Sequence, residues 1–188
     1  MKHTLDTLAG ERFAVPIGRR DHLEGNPNAE ISLLEYGDYD CPDCGSARQL
    51  VKLLEEALGP DLCFAFRNFP LTRIHPLAQQ AAEAAEAAAA QGRFWEMHDV
   101  LFENQDALEL DDLASYAAEL GLDANRLVAE IETGKYRARV HADVQSAIRS
   151  EVSGTPTFFI NGIRYDGAAE PEAMLAILRQ PEYMPRAA

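Results

Sequence analysis

Cys41 and Cys44 lie three residues apart in a Cys-Pro-Asp-Cys run, where an apolar segment gives way to a helical one. Two thiols so placed suit a reversible disulfide. If Cys41 caps the helix, Pro42 is its first residue, where a missing N–H costs nothing. Cys44 then shares a helix face with Cys41, with Cβ atoms ~5–6 Å apart. A disulfide needs them at ~3.5–4.5 Å, so modest tightening closes the bond without large backbone movement.

The two sulfurs are not equivalent. Cys41 would face unpaired N–H groups and the positive end of the helix dipole, both of which favour thiolate, the attacking species. Cys44, inside the first turn, is expected to be more buried and to resolve a mixed disulfide formed by Cys41. Asp43 opposes this as a like charge. At ~6 Å its repulsion is about 0.7 kcal/mol in water and about 2.8 kcal/mol at an effective dielectric of 20. The helix start contributes about 0.3–1 kcal/mol, rarely ~2. The expectation is a weaker oxidant than a pair with a neutral or cationic residue at position 43.

A lone Cys-x-x-Cys also fits half a zinc site or an inert buried pair. Structural zinc wants four ligands. Cys63 is the only other thiol, and the histidines at 3, 22, 75, 98 and 141 show no second paired spacing. Cys63 sits in an apolar run and is expected to be a small buried hydrophobe. No metal or cofactor is expected.

The elements that position the pair follow from periodicity. Ile31 to Tyr36 form a mostly buried strand broken from Gly37 to Asp40. From Pro42 a helix carries Leu50, Leu53, Leu54, Ala57 and Leu58 at helical spacing, and Gly59-Pro60 stops it. Leu62 to Phe69 form a second strand, with Leu62, Phe64 and Phe66 on one face. Phe13 to Ile17 suggest a short edge strand. Alanine dominates 78–92, a strong helix signal in which Gln79, Gln80, Glu83 and Glu86 form a polar face. Arg93 to Glu103 continue as helix, with Met97 and the aromatic residues as core. Asp111 or Asp112 caps a further helix and Asp123 the next. Tyr136, Val140, Val144 and Ile148 stripe another. Thr157 to Ile160 and Ile163 to Tyr165 flank Asn161-Gly162, a strong hairpin signal. Pro171 opens a last helix with Met174, Leu175 and Leu178 inward.

The 188 residues suit one domain with an insertion, and 47% hydrophobic with 26% charged residues exclude wholesale disorder. The order gives an α/β class, β-α-β then β-β-α, interrupted by helices. The expected division is an arm at 1–28, an α/β domain at 29–76 and 151–182, and an inserted helical domain at 77–150. The formal charge of −14 argues against nucleic-acid and membrane-surface partners. No run reaches the ~18 apolar residues of a membrane span. The first ten residues lack the ~7–15-residue apolar core of a signal peptide, so a cytoplasmic location is expected.

Several segments together resemble the DsbA-like branch of thioredoxin-fold proteins, and closely the thioredoxin-like domains fused to sodium/proton antiporters. They are Asp21-His-Leu-Glu-Gly25, Leu34-Glu-Tyr-Gly-Asp-Tyr-Asp-Cys-Pro-Asp-Cys-Gly45, Arg67-Asn-Phe-Pro-Leu71, His75-Pro76, Phe94-Trp-Glu-Met-His98 and Gly154-Thr-Pro-Thr-Phe-Phe-Ile-Asn-Gly162. The resemblance implies a thioredoxin fold with an inserted helical domain. It implies catalysis by Cys41 as nucleophile and Cys44 as resolving thiol, with substrate bound beside Pro42, Asp43, Thr155 and Pro156. It implies a cis Thr155–Pro156 peptide whose backbone docks an extended substrate. By itself the sequence suggests only a proline at a strand start. Glu35, six residues before Cys41, matches a buried family acid that would relay a proton to Cys44. An outward-facing strand glutamate is the alternative. His75 and His98 match family positions and are expected to be structural, hydrogen-bonded in the helical block.

Asp43 departs from the histidine or aromatic residue common at its site. The function expected is thiol–disulfide exchange with protein or small thiols, glutathione included, acting as reductase or isomerase in a reducing cytosol. The rival readings are a peptide-binding or chaperone module and a glutathione-dependent transferase or isomerase.

Overall fold

The computed structural model describes residues 14–180. Among them, five strands form one sheet in the order β1-β3-β2-β4-β5. At its centre β2 (Ile31–Gly37) and β3 (Leu62–Asn68) run parallel, with Ile31 opposite Leu62 and Gly37 opposite Asn68. A parallel pair needs a crossover, and α1 (Pro42–Leu58) supplies it. Gly59, at φ +50°, ends α1 in a conformation that favours glycine. β4 (Thr157–Ile160) joins β2 antiparallel, and β5 (Ile163–Tyr165) closes that edge. Asn161 and Gly162 connect them at φ +47° and +83°, as a two-residue type I′ turn requires.

The opposite edge is β1 (His22–Gly25), antiparallel to β3. This corrects the expected edge strand at 13–17 and takes four residues of the expected arm into the sheet. Phe13 lies outside the described residues. Residues 14–17 form no strand; the Ala14 N–H donates to the Gly162 carbonyl at 2.8 Å and the Val15 N–H to Ser150 Oγ at 2.9 Å. Their apolar side chains pack against the sheet instead of alternating across it.

Between β3 and β4 come α2 (Ala78–Ala89), α3 (Phe94–Glu103), α4 (Leu110–Glu119), α5 (Ala124–Glu132) and α6 (Arg137–Arg149). α2 packs against all four others. Small alanines let the helices approach closely, and Glu83 and Glu86 of the expected polar face are buried as well. Glu86 stays satisfied by Asn68 Nδ2 at 2.9 Å and His22 Nε2 at 3.1 Å. The cap of α4 is Glu109, with Asp112 completing a capping box, so the aspartates lie inside the first turn. Asp123 caps α5 as expected, accepting from the Arg126 N–H at 2.9 Å. α7 (Pro171–Leu178) packs on α1.

Two helix faces differ from the apolar stripes. On α1, Leu50, Val51, Leu54 and Leu58 are buried, but Leu53 is exposed. On α6, Val140, Asp143, Ser146 and Ala147 face inward while Ile148 is exposed. The polar residues are drawn in by partners: Ser146 Oγ meets Tyr36 Oη at 2.9 Å, and Asp143 accepts from the Asn68 N–H at 3.1 Å. The sheet thus has two cores. Leu33, Phe64, Phe66 and Phe158 lie under α1 and the helical block. Leu34, Tyr36, Ala65 and Phe159 lie on the other face with Ala147 of α6. Among the described residues no helix is long and apolar enough to cross a membrane.

Candidate redox site

β2 delivers the chain to the site, and its last residue needs to be glycine. A Cβ at Gly37 would collide with the Phe66 ring and crowd the Glu35 carboxyl. Cys41 is the N-cap of α1, in extended conformation at φ −95°, ψ 118°, and Pro42 is the first helical residue. Cys44 is fully buried, and Cys41 is nearly so at 5% exposure. Little of Cys41 therefore meets solvent. Pro42 and Asp43 are the exposed part of the motif. The thiols lie close but unbonded.

The asymmetry of the pair is large. Cys41 is held down to about 5, first by a hydrogen bond from the Cys44 thiol. Burial opposes this, while the Thr155 side chain and the N–H groups of Cys44 and Asp43 assist. Burial pushes Cys44 far above the ordinary thiol range, and the Cys41 hydrogen bond and the Glu35 charge add to that. The Asp38 N–H reaches Cys44 Sγ at 3.4 Å. Asp43 acts mainly through its backbone, not through its carboxylate. Its side chain is exposed, where water screens the charge. The water-like figure for its repulsion is therefore the relevant one. Asp43→His should raise the reduction potential of the pair by about 15–30 mV, measured against a glutathione redox series. No rise would show that residue 43 does not tune the pair.

Glu35 is buried at 1% exposure, so the outward-facing alternative does not hold. It sits opposite Phe66 on one side and Phe158 on the other. Its Oε1 has no hydrogen-bond partner among the described residues. Burial pushes the carboxyl up to about 8, with Arg48 pulling down and Cys41 pushing further up.

The Thr155–Pro156 peptide is cis. The Thr155 carbonyl lies 3.7 Å from Cys41 Sγ and accepts from it only when the thiol is protonated. Four of the expected site residues, Cys41, Cys44, Thr155 and Pro156, thus lie together, with Glu35 near enough for its charge to act on Cys44.

Four further residues hold the chain around this arrangement. Buried Asp38 takes the Asp40 N–H at 2.9 Å, the Leu71 N–H at 2.8 Å and His75 Nδ1 at 2.7 Å. His75 therefore serves the loop before Cys41, not the helical block. Burial pulls the imidazole down, but the Asp38 hydrogen bond and charge raise it overall, with Cys41 and Asp40 assisting. His98 belongs to the helical block and is buried, with Nδ1 at 2.9 Å from Tyr39 Oη. Burial holds it well below the ordinary imidazole range, so it is neutral at neutral pH. Gln105, between α3 and α4, donates through Nε2 to the Cys41 carbonyl at 2.7 Å and the Tyr39 carbonyl at 2.8 Å. Its side chain lies against Gly45, where a Cβ would strike it. Sequence reasoning gave Asp38 and Gln105 no role; only the sequence neighbourhood of Asp38 offered a signal.

A family model described as Thioredoxin matches residues 19–180. The chain belongs to the thioredoxin family. Its fold is DsbA-like. BdbD from Bacillus subtilis superposes with a TM-score of 0.79 at 20% identity, over 89% of this chain and 96% of that one. A thioredoxin-like oxidoreductase from Silicibacter pomeroyi gives 0.75 at 26% identity, over 85% and 90%. α-DsbA1 from Wolbachia pipientis gives 0.74 at 22%, over 87% and 91%. Among curated proteins, the Na(+)/H(+) antiporter NhaA 3 of Salinispora tropica is 46% identical over 158 residues, 84% of this chain and 24% of that protein. The chain spans about a quarter of the length of the curated relatives it matches. In this thioredoxin-family chain the cysteine pair, the cis proline and the buried glutamate converge at the C-terminal end of the parallel strands, where α/β sheets carry their sites.

Proposed function

We propose that the chain is a thiol–disulfide oxidoreductase that exchanges disulfides with protein or small thiols through Cys41. The observation that carries this is a cysteine at a helix start, held to about 5, beside a buried and unbonded partner thiol. In reduction, the Cys41 thiolate attacks a substrate disulfide, forms a mixed disulfide and releases one substrate thiolate. Cys44 loses its proton to Glu35 and attacks Cys41, releasing the second thiolate and leaving the Cys41–Cys44 disulfide. Oxidation of a substrate dithiol is the same sequence reversed. Pro42, Asp43, Thr155 and Pro156 border the attacking sulfur and are the proposed substrate contacts.

Thiolate stabilisation also bears on direction. At pH 7 a thiol held to about 5 favours the reduced pair by about 3 kcal/mol over one that is not ionised, or about 60 mV. This supports isomerase or oxidase action where the thiol pool is poised to reoxidise the pair, and weakens the expectation of a pure reductase.

The test is the pH dependence of Cys41 alkylation by iodoacetamide in the reduced protein. The rate should be half-maximal near pH 5 and flat from pH 6.5 to 8, in line with the lowered thiol. A midpoint in the ordinary thiol range of about 8–9 would remove the basis of the proposal.

A further inference from the structure

The charge of −14 is not evenly spread. On the sheet face away from α1, a cavity of about 330 Å³ opens between the segment before β1, β3 and α6. Five arginines line it: Arg19, Arg20, Arg67, Arg139 and Arg149. They fall into two sets.

Arg67 and Arg139 are committed inward. Arg67 holds both Asp21 oxygens, through Nε at 2.6 Å and Nη2 at 2.9 Å, and donates to the Val15 and Pro16 carbonyls at 2.8 and 2.9 Å. Arg139 pairs with Asp143, reaches Glu86 Oε2 through Nε at 3.6 Å, and donates through Nη2 to the Arg20 carbonyl at 2.9 Å. Asp21 closes the turn that precedes it. Its N–H donates to the Gly18 carbonyl at 3.1 Å, and its Oδ2 accepts from the Gly18 N–H at 2.6 Å. Two inward arginines, matched by two aspartates and Glu86, thereby fix the backbone of a turn whose central residues are Arg19 and Arg20.

Arg19, Arg20 and Arg149 form the second set. Their side chains are exposed and have no ion pair or hydrogen bond among the described residues. Five arginines less Asp21, Asp143 and the Glu86 carboxylate that reaches Arg139 leave a surplus of two positive charges around one concavity. At physiological salt, screening over about 8 Å removes most of the influence of distant carboxylates. Guanidinium forks that line one cavity from a fixed turn and a helix match an oxyanion with several equivalent oxygens better than a single carboxylate.

We propose that this cavity binds a phosphate group, carried by a soluble compound or by an anionic lipid headgroup, through Arg19, Arg20 and Arg149. The site lies across the sheet from the cysteine pair and does not depend on the redox reading.

Calorimetric titration of the full chain with pyrophosphate should give saturable binding. It should weaken at least about tenfold in the triple variant Arg19→Ser/Arg20→Ser/Arg149→Ser. These are exposed side chains, and an unchanged melting temperature checks the fold. Arg149→Ser alone, on a separate element, should give an intermediate loss. A charge-matched control, Arg93→Ser/Arg126→Ser/Arg179→Ser, should stay within about twofold of the parent. Vesicles separate the sources. Co-sedimentation with phosphatidylglycerol but not phosphatidylcholine, lost in the cavity variant alone, assigns a lipid headgroup. Pyrophosphate binding without sedimentation assigns a soluble phosphate. Binding of neither probe, or an equal loss in both triple variants, overturns the proposal.

Discussion

Cys41→Ser is expected to lower insulin reduction by dithiothreitol to the rate of dithiothreitol alone, while Cys44→Ser still attacks once and stalls as a mixed disulfide. The serine hydroxyl stays protonated at neutral pH and is no nucleophile toward sulfur, so the first step is lost outright. The lowered Cys41 thiol makes it almost wholly thiolate at pH 7, against a few per cent for an ordinary cysteine. That roughly 30-fold gain in population is nearly cancelled, because intrinsic nucleophilicity falls with pKa at a Brønsted slope of about 0.4–0.5. The low value therefore matters less for attack than for departure. Cys41 leaves readily when Cys44 or a substrate thiol attacks it. Cys44→Ser should retain much of the hydrogen bond to Cys41, because a hydroxyl also donates, whereas Cys44→Ala should let the Cys41 value rise. Equal insulin rates in wild type and Cys41→Ser would instead favour a peptide-binding module that needs no redox chemistry.

What the sequence exposed and what it hid divide along contact range. The cap, the proline at the first helical position and the i, i+3 thiols are local, and all are present at Cys41–Cys44. The Asn161–Gly162 hairpin and the Gly59 stop are equally local. Glu35 was ambiguous because alternation along a strand does not say whether the second face is covered; α1 and the helical block cover it here. The α6 face was misassigned for a related reason. Val140, Val144 and Ile148 make a good apolar stripe, yet Tyr36 and Asn68, far away in the chain, offer partners that bury Ser146 and Asp143 instead. His75 and Gln105 reach the site across 37 and 64 residues or more, to Asp38 and the Cys41 carbonyl. No periodicity carries such contacts. The arginine turn was invisible for the same reason, because net charge averages over a surface that the fold distributes unevenly.

Glu35→Gln is expected to stabilise the reduced protein, and by more as the pH rises. The carboxyl titrates near 4.5 when unfolded and at about 8 when folded, because burial disfavours its charge. Between those values the folded state holds a proton that the unfolded state has released, so unfolding stability falls with pH at about 1.4 kcal/mol per unit. From pH 5 to 8 this group alone removes about 3–4 kcal/mol; below pH 4.5 it removes nothing. Glutamine fills the same space without a titration. Urea unfolding of the two reduced proteins should therefore agree near pH 5 and diverge by about 3 kcal/mol at pH 7. Parallel stability curves would show that the carboxyl ionises normally. The same substitution tests why a destabilising acid stands there. Burial holds Cys44 far above neutrality, so its attack on the mixed disulfide requires a base within the fold. A carboxyl at about 8 can exchange that proton near neutral pH, and a glutamine cannot. In single-turnover experiments the mixed disulfide should decay about 100-fold more slowly in Glu35→Gln, with the first attack by Cys41 unaffected. An unchanged decay, together with the expected gain in stability, would leave Glu35 buried and titrating but outside the proton path.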